Sequence, residues 1–248
     1  MSSNIVYQTD QLVRYFAHNR VAWAQFYKSE RAIIERLDLN AYRTILDIGC
    51  GCGGLGLALH DRFGVTEYTG VEINSLAAAE GRQMNPRAQI LCGDILDLSR
   101  NELAERRFDV VFSLSCVDWN VRFEEMLCAA WRHVETGGYL VATFRLVSTE
   151  GCADMSRSYQ YINYDGVRSG ERAAYIVLDA RALMERLRRF EPGEILAFGY
   201  WGKPSATAVT PYERLCFAAF SIRKRTEATG AVQLQLQLPA EIHDAMVF

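Results

Sequence analysis

The chain has 248 residues, half of them apolar and 23% charged, with 27 Lys and Arg against 30 Asp and Glu for a formal charge of −3. That composition is ordinary for a folded globular chain and excludes disorder, a collagen-like fibre and a coiled-coil rod. The near-neutral balance also argues against a protein whose main task is gripping nucleic acid, because counterion release needs a concentrated basic surface.

Seven cysteines, Cys50, Cys52, Cys92, Cys116, Cys128, Cys152 and Cys216, are irregularly spaced. In a chain long enough to bury a core without staples they read as reduced thiols of a cytoplasmic protein. The N-terminal run MSSNIVYQTDQLVRYF has no basic stretch followed by a long apolar one, so no signal peptide is expected. No segment approaches the roughly eighteen apolar residues of a membrane span.

In chain order, residues 8–39 read as helical, with Trp23, Phe26, Tyr27, Ile33, Ile34 and Leu37 at three-and-four spacing and Glu30 interrupting the stripe. Residues 44–48 are a short apolar strand stopped by a glycine cluster. The alternation then repeats. Helices are expected at 54–62, 75–83, 101–106 and 122–134, and strands at 67–71, 89–92, 108–113 and 139–144. Strands alternating with helices predict a parallel sheet covered on both faces. After Arg145 the rhythm breaks into a polar, tyrosine-rich stretch over 146–178, followed by a helix at 180–190. Residues 194–201 and 214–222 read as two strands with no helix between them, hence an antiparallel pair at the end of the sheet. In the tail, Val232, Leu234, Leu236 and Leu238 alternate with Gln233, Gln235 and Gln237, a strand with one apolar face. It permits addition to the sheet, pairing between two copies of the chain, or a poorly ordered end.

The first strand runs into Asp47-Ile48-Gly49-Cys50-Gly51-Cys52-Gly53-Gly54-Leu55-Gly56. Glycines between a strand and a helix let the backbone turn tightly and approach a ligand closely. Glu72 ends the second strand, at the spacing where a carboxylate takes ribose hydroxyls. Asp47, two residues before the first glycine, points into the same crevice. Unit charges a few ångströms apart interact by roughly 4 kcal/mol at an effective dielectric of about 20, so Asp47 would repel a pyrophosphate and attract a ligand bearing an ammonium group.

Residues 45–53 resemble the first motif of class I S-adenosylmethionine-dependent methyltransferases of the small-molecule type. Val71-Glu72-Ile73-Asn74 is similar to that family's second motif, and Cys92-Gly93-Asp94-Ile95 to its third. Residues 108–113 and 137–140 are similar to its fourth and fifth strands. The resemblance covers about residues 44–144. It implies a Rossmann-like, doubly wound α/β sheet of seven strands, the last antiparallel, with helices on both faces. The organisation then expected is one domain over 1–225, with a helical cover (1–42), a cofactor half (43–145) and a substrate cover with the last strands (146–225), and a tail over 226–248. The resemblance implies S-adenosylmethionine as cofactor, leaving as S-adenosylhomocysteine, with Asp47, Gly49, Cys50, Gly51, Glu72, Ile73, Asp94, Ile95 and Ser113 around it. Asp47 would hold the ammonium, Glu72 the ribose and Asp94 the adenine.

Methyl transfer from a sulfonium mainly requires holding the nucleophile against the methyl group; a base is needed only for a hydroxyl or a protonated amine. None of His18, His60, His133 and His243 falls at a strand's carboxyl end. Asp118 is the base candidate, with a helix-capping role as its alternative. Trp119, Arg145, Tyr159, Tyr161, Tyr200, Trp201 and Lys203 are candidate acceptor contacts, and Tyr164 belongs to the same aromatic stretch. Their mix suggests a small polar acceptor, sugar-like or anionic. No metal cluster is apparent, and no nucleic-acid or membrane partner is expected. Two other readings stay open: an NAD(P)-dependent oxidoreductase, which the glycine turn and Glu72 would also serve, and a cofactor-binding scaffold without catalysis.

Overall fold

The computed structural model describes residues 10–163, 165–227 and 230–247; Tyr164 and the first residues of the expected N-terminal helix lie outside them. The N-terminal cover is α1 (Gln11–His18) and α2 (Lys28–Ile34), joined by a single 3-10 turn at Trp23–Gln25. The alternating region follows as β1 (Thr44–Ile48), α3 (Gly54–Phe63), β2 (Glu67–Glu72), α4 (Ser75–Met84), β3 (Gln89–Cys92), α5 (Ile95–Leu98), β4 (Phe108–Ser113), α6 (Phe123–Arg132) and β5 (Val134–Val147). The remainder is β6 (Tyr159–Tyr161), β7 (Arg172–Ala174), β8 (Leu178–Asp179), α7 (Ala180–Arg188), β9 (Glu194–Gly202), β10 (Ala208–Val209), β11 (Leu215–Arg223), β12 (Gln233–Gln237) and α8 (Ala240–Val247).

The main sheet runs β12-β9-β11-β5-β4-β1-β2-β3, with the short β8 beside β5. β11 is antiparallel to both neighbours, pairing Cys216 with Leu146 on β5 and with Trp201 on β9. The expected seven strands are therefore present, with the antiparallel member where the two late strands placed it; β12 and β8 bring the count to nine. Alternate residues supply two cores. Leu46, Val111 and Leu140 face the layer of α5, α6 and α7, whereas Ile45, Val110 and Val141 face α2 and α3. Each buried branched side chain contributes about 1.5–3 kcal/mol of transfer free energy, so both faces need their helices. β6, β7 and β10 form a separate small antiparallel sheet from the stretch in which no period was legible.

The structure corrects several expected elements. The long N-terminal helix is broken: Asn19 is extended and Arg20 is left-handed, φ 63°. The cause is packing, because this segment crosses the first turn of α3. A Cβ on Gly54 would sit 2.3 Å from the Arg20 carbonyl oxygen. Glu30, which interrupts the apolar stripe, is fully buried and takes the two terminal nitrogens of Arg20 at 2.9 and 3.1 Å. The short helix expected at 101–106 lies instead at Ile95–Leu98, where Asp94 accepts the Leu96 N–H at 2.9 Å as an N-cap. β5 begins at Val134 rather than after the glycine pair and bends through Gly137, φ 79°, with a register shift against β4.

The tail joins the sheet. β12 lies parallel to β9, Leu236 and Leu238 pack on the core, and Val232 and Leu234 stay partly exposed. α8 packs against α7 and buries Ile242 and Met246.

Candidate active site

The carboxyl ends of β1, β2, β4 and β5 open into a cavity of about 770 Å³, within the usual size of a ligand site. Its first wall is the glycine turn. Gly49, Gly51 and Gly53 have φ of 74°, 54° and 72°, a region that disfavours a Cβ. At Gly49 a Cβ would also meet the Cys116 sulfur at 2.5 Å. The turn is tied to β2: the Val71 carbonyl accepts the Gly49 and Cys50 N–H groups at 2.8 and 3.1 Å.

Two buried carboxylates flank this turn. Glu72 accepts the Gly51 N–H on one oxygen at 2.9 Å and the Asn74 N–H on the other at 2.8 Å. Burial pushes its carboxyl above the ordinary range, and these backbone donors oppose the shift. Asp47 accepts the Tyr68 hydroxyl at 2.5 Å. Burial pushes Asp47 up to about 7, against the Tyr68 hydrogen bond and the Arg20 charge and with help from the Glu72 charge.

Another part of the lining is cationic and aromatic. Arg145, from β5, has its Nε 3.3 Å from an Asp118 carboxylate oxygen, and its Nη1 donates to the Asp118 carbonyl at 2.9 Å. Its guanidinium carbon lies 3.7 Å from the centroid of the Tyr175 ring and 5.3 Å from that of Trp119, a stacked, desolvated arrangement that suits arginine. Asp118 Oδ1 and Trp119 Nε1 are buried without a protein partner among the described residues. Burial, opposed by Arg145, holds the Asp118 carboxyl above its ordinary value. Asp118 does not cap α6; Asn120 takes the Arg122 N–H at 2.8 Å instead.

Of the residues the sequence nominated around the cofactor, Asp47, Gly49, Cys50, Gly51, Glu72, Ile73, Asp94 and Ile95 all line the cavity. Ser113 does not: it is fully buried in β4, and Leu114, Ser115 and Cys116 line the wall beyond it. On the acceptor side Asp118, Trp119, Arg145, Tyr200 and Lys203 line it, whereas Tyr159, Tyr161 and Trp201 do not. Strand alternation explains both failures. Tyr159 and Tyr161 share one face of β6 and stack edge to face at 5.6 Å, so that Gln160 between them faces the cavity. Trp201 alternates with Tyr200 and packs on the main core, with Arg214 over its ring at 4.3 Å. Arg20, Tyr27 and Tyr175 also line the cavity and went unnominated, because the first two sat in an assumed helix and the third in a stretch without period. Among the described residues, no histidine lines it.

The curated and structural relatives agree with this architecture. Residues 45–138 match the family described as Methyltransferase domain. Trans-aconitate 2-methyltransferase of Deinococcus radiodurans is 29% identical over 100 residues, covering 40% of this chain and 36% of the relative. Malonyl-[acyl-carrier protein] O-methyltransferase of Enterobacter lignolyticus is 24% identical over 136 residues, covering 55% and 51%. The chain thus spans about a third to a half of the length of these relatives. Among solved structures, phosphoethanolamine N-methyltransferase 2 of Haemonchus contortus, in complex with S-adenosyl-L-methionine, is similar in fold, with TM-score 0.58 at 14% identity over 88% of this chain and 58% of that one. A putative S-adenosylmethionine-dependent methyltransferase from Listeria monocytogenes gives 0.55 at 15% identity over 80% and 99%. The matched domain, together with the strand order and the glycine turn, makes residues 45–138 similar to a methyltransferase domain.

Proposed function

We propose that the chain is an S-adenosylmethionine-dependent methyltransferase whose acceptor is a small polar molecule bearing an anionic group. The observation that carries this reading is one cavity lined both by the buried carboxylates Asp47 and Glu72 beside the glycine turn and by the stacked guanidinium of Arg145 with a lysine. The residues fit the cofactor's chemistry. Asp47 is a buried acid beside a turn whose glycines leave room for close backbone approach, suited to an ammonium and hostile to a pyrophosphate. Glu72 would offer lone pairs to ribose hydroxyls, and Asp94 with Ile95, which line the same cavity, would receive the adenine. When bound, S-adenosylmethionine supplies an activated methyl group.

The chain's own groups then have separate tasks. Arg145, held by Asp118 and by the Tyr175 and Trp119 rings, anchors the acid group of the acceptor, with Lys203 adding charge. Asp118 Oδ1, buried and without a protein partner among the described residues, takes the proton of the acceptor's hydroxyl. A carboxyl raised toward working pH is the better base. Tyr27, Tyr175 and Tyr200 line the acceptor end and exclude water. The acceptors in the relatives' names, trans-aconitate, a malonyl carrier protein and phosphoethanolamine, all carry acid groups, in keeping with this assignment.

No described helix is long and apolar enough to cross a membrane. A cytoplasmic setting, and pairing of two copies along the outer edge of β12, belong to the same proposal; light scattering reads the second. The function is tested by offering labelled S-adenosylmethionine with a panel of hydroxy acids, phosphates and neutral sugars. Label is expected on acidic acceptors. Label on neutral sugars alone removes the anionic assignment, and reduction of NAD(P) in place of labelling supports the oxidoreductase alternative.

A further inference from the structure

The glycine-turn end of the cavity holds a cation that the cofactor motifs do not account for. Arg20 lines the cavity beside Asp47, Gly51 and Gly54. Its backbone is left-handed although it is not glycine, a conformation that persists only where the surroundings enforce it. Two contacts enforce it here: the Arg20 carbonyl lies directly over Gly54, and the guanidinium is gripped through both terminal nitrogens by Glu30. Glu30 is itself fixed, fully buried and accepting the Tyr27 N–H at 2.9 Å. A guanidinium has five N–H donors in a planar fork. Glu30 engages two of them, and the side chain keeps 18% of its surface exposed. Arg20 also lies close enough to Asp47 for each charge to be felt by the other.

The other cations lining the cavity are differently placed. Arg145 pairs with Asp118 on the acceptor side, and Lys203 directly follows the last residue of β9. Among the described cavity-lining residues, Arg20 is therefore the positive group at the end where Asp47 meets an ammonium. An α-amino acid presents its ammonium and its carboxylate on one carbon, so a site for the first that lacks a donor for the second buries an uncompensated charge. Resting on the S-adenosylmethionine reading of the cavity, we infer that Arg20 receives the α-carboxylate of the cofactor while Asp47 receives its ammonium, so that the N-terminal segment and the glycine turn clamp the amino-acid end between them. Glu30 is then a positioning residue that aims the guanidinium.

The assignment is tested with nucleosides that differ only at that carboxylate. Removing Arg20 alone leaves Glu30 buried and unpaired, so the variant measured is the double change Arg20→Met with Glu30→Gln, beside Arg20→Lys, with thermal melts confirming that each folds. Calorimetry then compares S-adenosylmethionine with its decarboxylated analogue. The double variant is expected to bind S-adenosylmethionine at least tenfold more weakly and the decarboxylated analogue as the unaltered chain does, with Arg20→Lys intermediate for S-adenosylmethionine. Equal weakening for both nucleosides, or none for either, would overturn the assignment and leave Arg20 as a counterion to Glu30. If the unaltered chain binds the decarboxylated analogue but not S-adenosylmethionine, the carboxylate subsite is again refuted. If it binds neither, the cofactor reading itself falls and the assignment falls with it.

Discussion

Tyr68, on β2, donates its hydroxyl to the Asp47 carboxylate on the neighbouring β1 at 2.5 Å, with both side chains buried. The two strands pair in register, so this bond holds the carboxylate at the mouth of the glycine turn. A hydrogen bond to a charged group contributes about 1.5–3 kcal/mol. Tyr68→Phe is therefore expected to weaken S-adenosylhomocysteine binding by about tenfold or more, read by calorimetry. The ring that packs on Gly56 is retained, so the variant should still fold, with a melting point lowered by the loss of the buried bond.

Because burial lifts Asp47 to about 7, its carboxyl is partly protonated at neutral pH before cofactor binds. An incoming ammonium favours the ionised form and displaces the proton. Cofactor affinity should accordingly rise from pH 6 to pH 8, with proton release visible as a buffer-dependent binding enthalpy. For stability the sign is opposite. A carboxyl whose folded value is raised gives a contribution that is full below its unfolded value of about 3.9 and is lost as pH rises through about 7. The ligand-free chain should thus lose thermal stability from this group as pH rises through that window. Bound cofactor should recover part of it.

Asp118 and Arg145 form a buried pair with side chains 5% and 7% exposed. Removing one member of such a pair typically costs about 3–5 kcal/mol, so Asp118→Asn should lower the melting point measurably. If Asp118 also takes the acceptor's proton, the same change should reduce kcat by about 10²–10⁴ and remove the rising limb of its pH profile, while leaving S-adenosylhomocysteine affinity near that of the unaltered chain. A raised acceptor KM with kcat intact would instead show that Asp118 only positions Arg145.

Cys50, Cys52, Cys92 and Cys116 all fall near strand ends around the proposed site, which invites the expectation that alkylation inhibits and bound cofactor protects. The structure predicts otherwise for two of them: burial pushes the Cys50 and Cys116 thiols far up, and a thiol so far from ionising is a poor nucleophile. Iodoacetamide at neutral pH should label exposed Cys92 and Cys128 while leaving Cys50 and Cys116 unmodified, as peptide mapping would show.

The cofactor half was legible in the sequence because strand, glycine turn and terminal acid are local patterns: Asp47, Glu72 and Asp94 each sit at a strand end that periodicity alone marks. The acceptor side was less legible, since Tyr159 or Gln160 faces the cavity according to which side of a three-residue strand points inward, and that is set by pairing with distant β10 and β7. Arg20 and Tyr27 were hidden because helical spacing continues through a segment that packing on Gly54 and Glu30 breaks. The tail's alternation marked a strand but not its partner. β12 chose β9, and α8 followed it, so Ile242→Ala should cost about 2–5 kcal/mol, as a core residue would and a loose tail residue would not.

The most direct test of the account is calorimetric titration of the chain and its Glu72→Ala variant with S-adenosylhomocysteine, alongside NADH as the competing ligand. The account predicts one S-adenosylhomocysteine site per chain, no NADH binding, and affinity lowered by about 1.5–3 kcal/mol in the variant. Binding of NADH with no response to S-adenosylhomocysteine, or an affinity for the latter that Glu72→Ala leaves unchanged, would contradict it.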